Sequence, residues 1–108
     1  MGAVRVVLVC PYAWDRPGGV QVQVGGLGER LRARGHEVLA LAPSTVRPDE
    51  PWVVRAGSPL ALPYGGTLAP ISPWPGTGRR VRGALQAFGP DVVHVHEPFA
   101  PSTSIFAL

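Results

Sequence analysis

The chain has 108 residues, a formal net charge of +3, a sequence pI near 10.0 and 45% hydrophobic residues. That length allows one small domain with a real core. All ten basic residues are arginine, so Schiff-base chemistry and the G-K-[ST] phosphate loop, which need lysine, are excluded.

Asparagine is absent as well, a composition that fits a GC-rich genome and weakens any link between the arginines and anion binding. With no dense arginine run and no aromatic interleaving, nucleic acid is not an expected partner. Glycine and proline make up a quarter of the chain and concentrate between Pro43 and Gly78, which marks a loop-rich middle. The single cysteine, Cys10, excludes an intramolecular disulfide and reads as a small core residue. The N-terminal apolar run is too short for a signal peptide, and no stretch reaches bilayer length. The sequence therefore predicts a cytoplasmic protein.

In chain order, Val4–Val9 is an apolar run broken only by Arg5, the pattern of a strand buried on both faces of a parallel sheet. It stops at Pro11, and a polar loop follows as far as Gly18-Gly19. Val20, Val24, Leu27 and Leu31 recur at helical spacing, predicting a helix to about Arg34 that Gly35 ends in a left-handed C-cap. Gly25, Gly26 and Gly28 fall inside it, each costing roughly 1 kcal/mol relative to alanine. Either another element packs closely there or the helix is weak. Glu37–Leu41 reads as a second strand, completing a right-handed βαβ unit. Trp52–Arg55 reads as a third strand and Leu60–Tyr64 as a short edge piece limited by its prolines.

Val81, Leu85 and Phe88 mark a second helix from about Thr77 to Phe88, ended by Gly89-Pro90. Val92–His96 is a clear strand, and Ser102 or Thr103 caps an expected third helix that is cut off at Leu108. The fold class is α/β, a partial Rossmann-like domain with a mostly parallel sheet and flanking helices. About four strands leave an exposed edge and an uncovered apolar face, which predicts self-association.

Three candidate sites stand out. The strand, loop, Gly18-Gly19 and helix N-terminus present backbone N–H groups as for a phosphate. An ordinary βα turn that needs glycine for its dihedrals fits the same residues. A dinucleotide site does not fit, because G-x-G-x-x-G is missing there and the second strand ends Leu41-Ala42-Pro43-Ser44, without a ribose-binding acid. His94 and His96 share a strand face, with Glu97 next to them, but two histidines and one glutamate make a weak metal signal, and no metal is expected. Arg79, Arg80 and Arg82 lie on the second helix, with Trp74 just before it. A solvated surface helix is the plainer account, and a helix lying on an anionic membrane the sharper one.

Taken together, Cys10-Pro11-Tyr12, Asp15, Pro17-Gly18-Gly19-Val20-Gln21, Gly35-His36-Glu37-Val38, Pro63-Tyr64 and Pro90-Asp91-Val92-Val93-His94-Val95-His96-Glu97-Pro98 carry a family resemblance. Over its whole length the chain resembles the N-terminal domain of GT-B glycosyltransferases. Within these it is similar to the retaining family-4 enzymes, including the actinobacterial phosphatidylinositol mannosyltransferases. The Pro-Gly-Gly-Val loop and the His-x-His-Glu-Pro motif are specific to that superfamily.

The resemblance implies two Rossmann-like domains facing a cleft. Residues 1–108 would be an incomplete acceptor-side domain without the C-terminal donor domain. The parent would move a hexose such as mannose, with retention, from a GDP- or UDP-sugar to a lipid-linked or polyol acceptor, without a cofactor. Gly18 and Gly19 match positions at the donor diphosphate. Tyr12, Asp15, Gln21, Tyr64 and Thr67 match positions at the acceptor. Arg79, Arg80 and Arg82 match a basic helix that touches the inner face of the plasma membrane.

No catalytic residue is expected within residues 1–108, because the family's catalytic-region histidine and donor-binding residues fall beyond Leu108. Two positions depart from the pattern. Pro70 stands where the lipid mannosyltransferases hold the acceptor phosphate with arginine, and Gly65 where they have asparagine. The acceptor is thereby left open. Outside the enzyme class, the alternatives are a stand-alone module for a phosphate-bearing ligand and a non-functional truncated product.

Overall fold

The computed structural model describes residues 2–16, 18–57, 60–64, 67–71 and 75–96. Among them the chain forms β1 (Arg5–Val9), α1 (Gly19–Ala33), β2 (Glu37–Ala42), β3 (Val53–Arg55), β4 (Leu60–Tyr64), β5 (Thr67–Ile71), α2 (Pro75–Phe88) and β6 (Val92–Val95). Four strands make a parallel sheet in the order β3-β2-β1-β6. The chain winds outward from β1 to β3, then returns to pair β6 with the free edge of β1. This is the expected α/β Rossmann-like arrangement. The reversal opens a crevice beyond the C-terminal ends of β1 and β6, where such sheets bind ligands.

Burial explains why β1 is central. Val6, Leu8 and Cys10 join one core layer with Val24, Val38, Ala40 and Trp52, and Leu27 and Leu31 of α1 pack against it. Val7 and Val9 point the other way, to Leu41, Ala56 and Val81, with Leu85 and Phe88 of α2 alongside. Fully burying one such aliphatic side chain is worth about 1.5–3 kcal/mol. The exposed Arg5–Glu37 ion pair (3.3 Å) next to it is of a kind worth about 1 kcal/mol at most. Cys10 is buried, as expected, and its thiol donates to the Tyr12 carbonyl at 3.4 Å.

Two helix ends follow the glycine logic. Gly35 adopts φ +89° after α1. Its N–H donates to Arg32 O at 3.0 Å and that of His36 to Leu31 O at 3.1 Å, a complete Schellman cap. Gly89 adopts φ +64° after α2 and donates to Leu85 O at 3.0 Å. Two residues of the family motifs staple strand starts: His36 Nδ1 accepts the Val4 N–H at 3.1 Å, and the Asp91 carboxylate accepts the Arg5 N–H at 2.9 Å.

Three sequence expectations are corrected or completed. Helix α2 begins at Pro75 rather than Thr77, because proline's fixed φ suits the first helical position. Leu60–Tyr64 is not an edge of the main sheet. It pairs antiparallel with β5, which the sequence pattern did not reveal, in a separate two-stranded sheet. Each strand of such a ribbon has one unpaired side, so Pro63 and Pro70 are tolerated without losing a ladder bond. The expected third helix after Ser102 lies outside the described residues.

The glycines of α1 resolve into different roles. A Cβ on Gly28 would lie 2.4 Å from the Trp52 ring, so there the first of the two expectations, close packing, holds. A Cβ on Gly25 would meet Trp14 at an ordinary 3.6 Å, and one on Gly26 would meet nothing within 4 Å. Gly28→Ala is therefore expected to destabilise by about 1–3 kcal/mol through overpacking. Gly26→Ala should stabilise by up to about 1 kcal/mol through helix propensity. Urea midpoints of the two variants against wild type test this opposition of sign.

Candidate functional site

The β1–α1 loop lies over the C-terminal ends of β1 and β2 and is tied down along its length. Cys10 N–H donates to Leu41 O at 2.8 Å and Trp14 N–H to Pro43 O at 2.8 Å. The Gln21 side chain reaches back from α1, and its Nε2 donates to Ala13 O at 2.9 Å. Trp14 Nε1 donates to Glu50 Oε2 at 2.9 Å, and its ring meets Trp52 edge to face with centroids 6.2 Å apart. This network presents Asp15, Gly18 and Gly19 on one side of the loop.

Asp15 is exposed, and Thr45, in the loop just past β2, holds its carboxylate. The Thr45 hydroxyl donates to Oδ2, and the Thr45 N–H donates to Oδ1 at 3.3 Å and Oδ2 at 3.4 Å. Partial burial alone would raise the Asp15 pKa. The Thr45 hydrogen bonds, with a lesser contribution from the Asp15 backbone N–H, outweigh it and hold the carboxyl below its ordinary 3.8. Asp15 is thus a fixed anion able to accept hydrogen bonds from a hydroxylated ligand.

Helix α1 starts with Gly18 as its N-cap, in extended geometry, and Gly19 as its first residue. Val22 N–H donates to Gly18 O at 3.1 Å, which leaves the N–H groups of residues 18–21 without intrahelical acceptors. The first turn holds no acidic side chain, so the positive end of the helix dipole is not neutralised from within the helix. The two glycines differ. A Cβ on Gly18 would sit 2.4 Å from Gln21 Oε1, so Gly18 accommodates the folded-back glutamine as well as any ligand. A Cβ on Gly19 would meet nothing, and the space before it is open. A cleft of about 410 Å³ lies between Trp14, Asp15, Arg16, Gly18, Gln21 and Gly25, with Glu50 on its rim. A larger hollow of about 650 Å³ runs along residues 47–55, but it offers two arginines and two acids and so no preference of charge.

The other expected site residues fall in four places. Tyr12 is half-buried against the core below the loop. Tyr64 and Thr67 face each other in register at the closed end of the β4–β5 ribbon, and their side chains lie outside what is described. Pro70 pairs with Ala61 in the same ribbon, and Gly65 and Trp74 lie outside the described residues. Arg79, Arg80 and Arg82 are exposed on α2, whose other face meets the core through Val81 and Leu85. His94 and His96 stack edge to face at 4.6 Å, on the same side of β6. Among the described residues no three potential metal ligands cluster, and no helix is long and apolar enough to cross a membrane. Thr45, Glu50 and Trp14 were not anticipated. The available signals were an apolar tryptophan within a polar loop and a hydroxyl just past a strand neighbouring β1.

Residues 17–108, from the glycine pair through β6 and onward, match the model of Glycosyltransferase Family 4. The chain belongs to that family. A phosphatidyl-myo-inositol mannosyltransferase of Mycolicibacterium smegmatis is 45% identical over 105 residues, covering 96% of this chain and 27% of the relative. The corresponding protein of Mycobacterium leprae is also 45% identical, over 96% of this chain and 28% of its own length. That of Propionibacterium freudenreichii is 40% identical over 114 residues, 96% of this chain and 29% of its own. This family-4 chain thus spans a little over a quarter of the length of these curated relatives.

The Asp15–Thr45 contact of this glycosyltransferase chain makes a pH prediction. A carboxyl with a depressed folded pKa adds stability that is fully present above its unfolded value, here 3.8, and is lost as pH falls through the lower folded value. Asp15→Asn should therefore flatten the fall in urea midpoint below pH 4 and leave the pH 6–8 plateau without slope. Parallel urea titrations of wild type and variant at pH 3, 4 and 7 measure this.

Proposed function

We propose that this chain forms the acceptor-side wall of a retaining glycosyltransferase that moves a hexose, mannose by analogy with the relatives' names, from a nucleotide-diphosphate sugar to a lipid-linked or polyol acceptor. The observation that carries the proposal is the α1 N-terminus at Gly18-Gly19. It has unsatisfied amides and open space, and it stands beside Asp15 at the strand ends of a family-4 chain. Phosphate placed there gains from the amides and the helix dipole. As the glycosidic bond to the sugar breaks, charge builds on the departing diphosphate, so preformed donors aimed at it lower the barrier. Asp15, with Tyr12, Gln21, Tyr64 and Thr67 contributing around it, orients the acceptor hydroxyl towards the sugar. Residues 1–108 are part of the acceptor-side domain of this site and supply no catalytic residue. A second domain holds most of the nucleotide, and the isolated segment binds without turnover. No cofactor or metal takes part.

The acceptor reaches the site from a membrane. Arg79, Arg80 and Arg82 lie on a helix without a single acidic residue, and each basic residue near an anionic surface adds about 1 kcal/mol. The enzyme would then work on the cytoplasmic face as a peripheral protein. Replacing all three arginines by glutamine is expected to weaken binding to phosphatidylglycerol vesicles by about a hundredfold at low salt, and much less at 0.5 M salt. Vesicle sedimentation measures both.

The activity itself is tested by incubating the intact protein with GDP-mannose or UDP-glucose and vesicles containing phosphatidylinositol, and following the lipid product. Transfer by wild type that is reduced at least tenfold in Gly19→Val supports the assignment, whereas transfer unaffected by Gly19→Val refutes the role of the helix terminus. Pro70→Arg restores a phosphate-binding cation to the β5 strand. It is expected to lower the KM for phosphatidylinositol by about tenfold, the size of a charge-assisted hydrogen bond.

A further inference from the structure

Among the described residues, four of the anchors of the β1–α1 loop come from one stretch of chain, residues 41–50, which follows and includes the end of β2. Leu41 and Pro43 hold the loop backbone, Thr45 holds Asp15, and Glu50 holds the Trp14 indole. The last contact differs from the others in two ways. It is made by an ionisable side chain of the β2–β3 loop, 36 positions from its partner, and the ring it holds is braced from behind. Trp52 meets Trp14 edge to face, and Gly28 is the gap in α1 that lets the Trp52 ring lie against the helix. Trp14 therefore has a wall on one side and a hydrogen-bond acceptor on the other, and its neighbour in sequence is Asp15. Loops of this length are entropically costly to hold in one conformation, about 1–2 kcal/mol per ordered residue, so each tether matters for how well the loop is aimed before ligand arrives.

We propose that Glu50 is a positioning residue: by accepting the Trp14 indole N–H against the Trp52 brace, it fixes the loop that carries Asp15, Gly18 and Gly19 in its ligand-receiving geometry. Glu50 acts through Trp14 and not on the reacting atoms. Its effect on binding rests on the function proposed above, while its effect on the loop does not.

The test uses the intact protein and two readouts: amide hydrogen exchange across residues 10–19, and affinity for GDP and UDP by calorimetry. Glu50→Ala is expected to speed exchange in residues 13–18 about tenfold, the scale of losing a hydrogen bond to a charged acceptor, and to weaken nucleotide binding by a similar factor. Glu50→Gln keeps an acceptor oxygen and should restore both readouts to within about threefold of wild type. Trp14→Phe keeps the ring but lacks the N–H and should match Glu50→Ala. The proposal is overturned if neither Glu50→Ala nor Trp14→Phe changes loop exchange, or if Glu50→Gln loosens the loop as much as Glu50→Ala. If wild type binds neither nucleotide, the proposed function fails, and the exchange data still decide the role of Glu50.

Discussion

Strand β1 is hydrogen-bonded along both edges and packed on both faces, and the position of the site follows from that double burial. Only a short, almost wholly apolar strand can occupy such a place, since a polar side chain on either face would lose its water without replacement. With β1 central, the winding must reverse beside it, and the reversal leaves a crevice at its C-terminal end. The loop leaving β1 has to cross that crevice to reach α1. The open space at Gly19 is thus a consequence of topology, furnished by glycine.

Helix α1 shows how one residue type serves several ends. Its amphipathic face buries only Val24 and Gly28 fully, and four glycines lower its intrinsic propensity. What stabilises it is tertiary: the Trp52 ring occupies the side-chain space at Gly28, Trp14 lies over Gly25, and the Schellman cap at Gly35 closes the end. Packing of this kind routinely outweighs propensity. The arrangement also couples the helix to the site, because the tryptophans that cover the glycines belong to the site loop and to the start of β3.

The electrostatics divide the chain by role. The α1 terminus offers partial positive charge at a recess, suited to one bound anion. The α2 arginines offer whole charges on an open surface, suited to a diffuse anionic plane. Asp15 stands between as a fixed negative group whose charge Thr45 secures to well below neutral pH. The β1–α1 loop thus holds both signs a few residues apart.

The sequence by itself determined the four strands of the parallel sheet, the two helices, the glycine stops at Gly35 and Gly89, and the family, because these rest on local periodicity, local dihedral demands and contiguous motifs. It also marked Gly18-Gly19 and Asp15, since a strand, a polar loop and a glycine-led helix are neighbours along the chain. Only the tertiary structure decided which glycine serves which purpose, that β4 finds its partner in β5, and that Thr45 and Glu50 hold the site loop. Those contacts join residues 30 and 36 positions apart, and nothing in the spacing of a sequence says which side chains a parallel sheet will bring to the same strand ends.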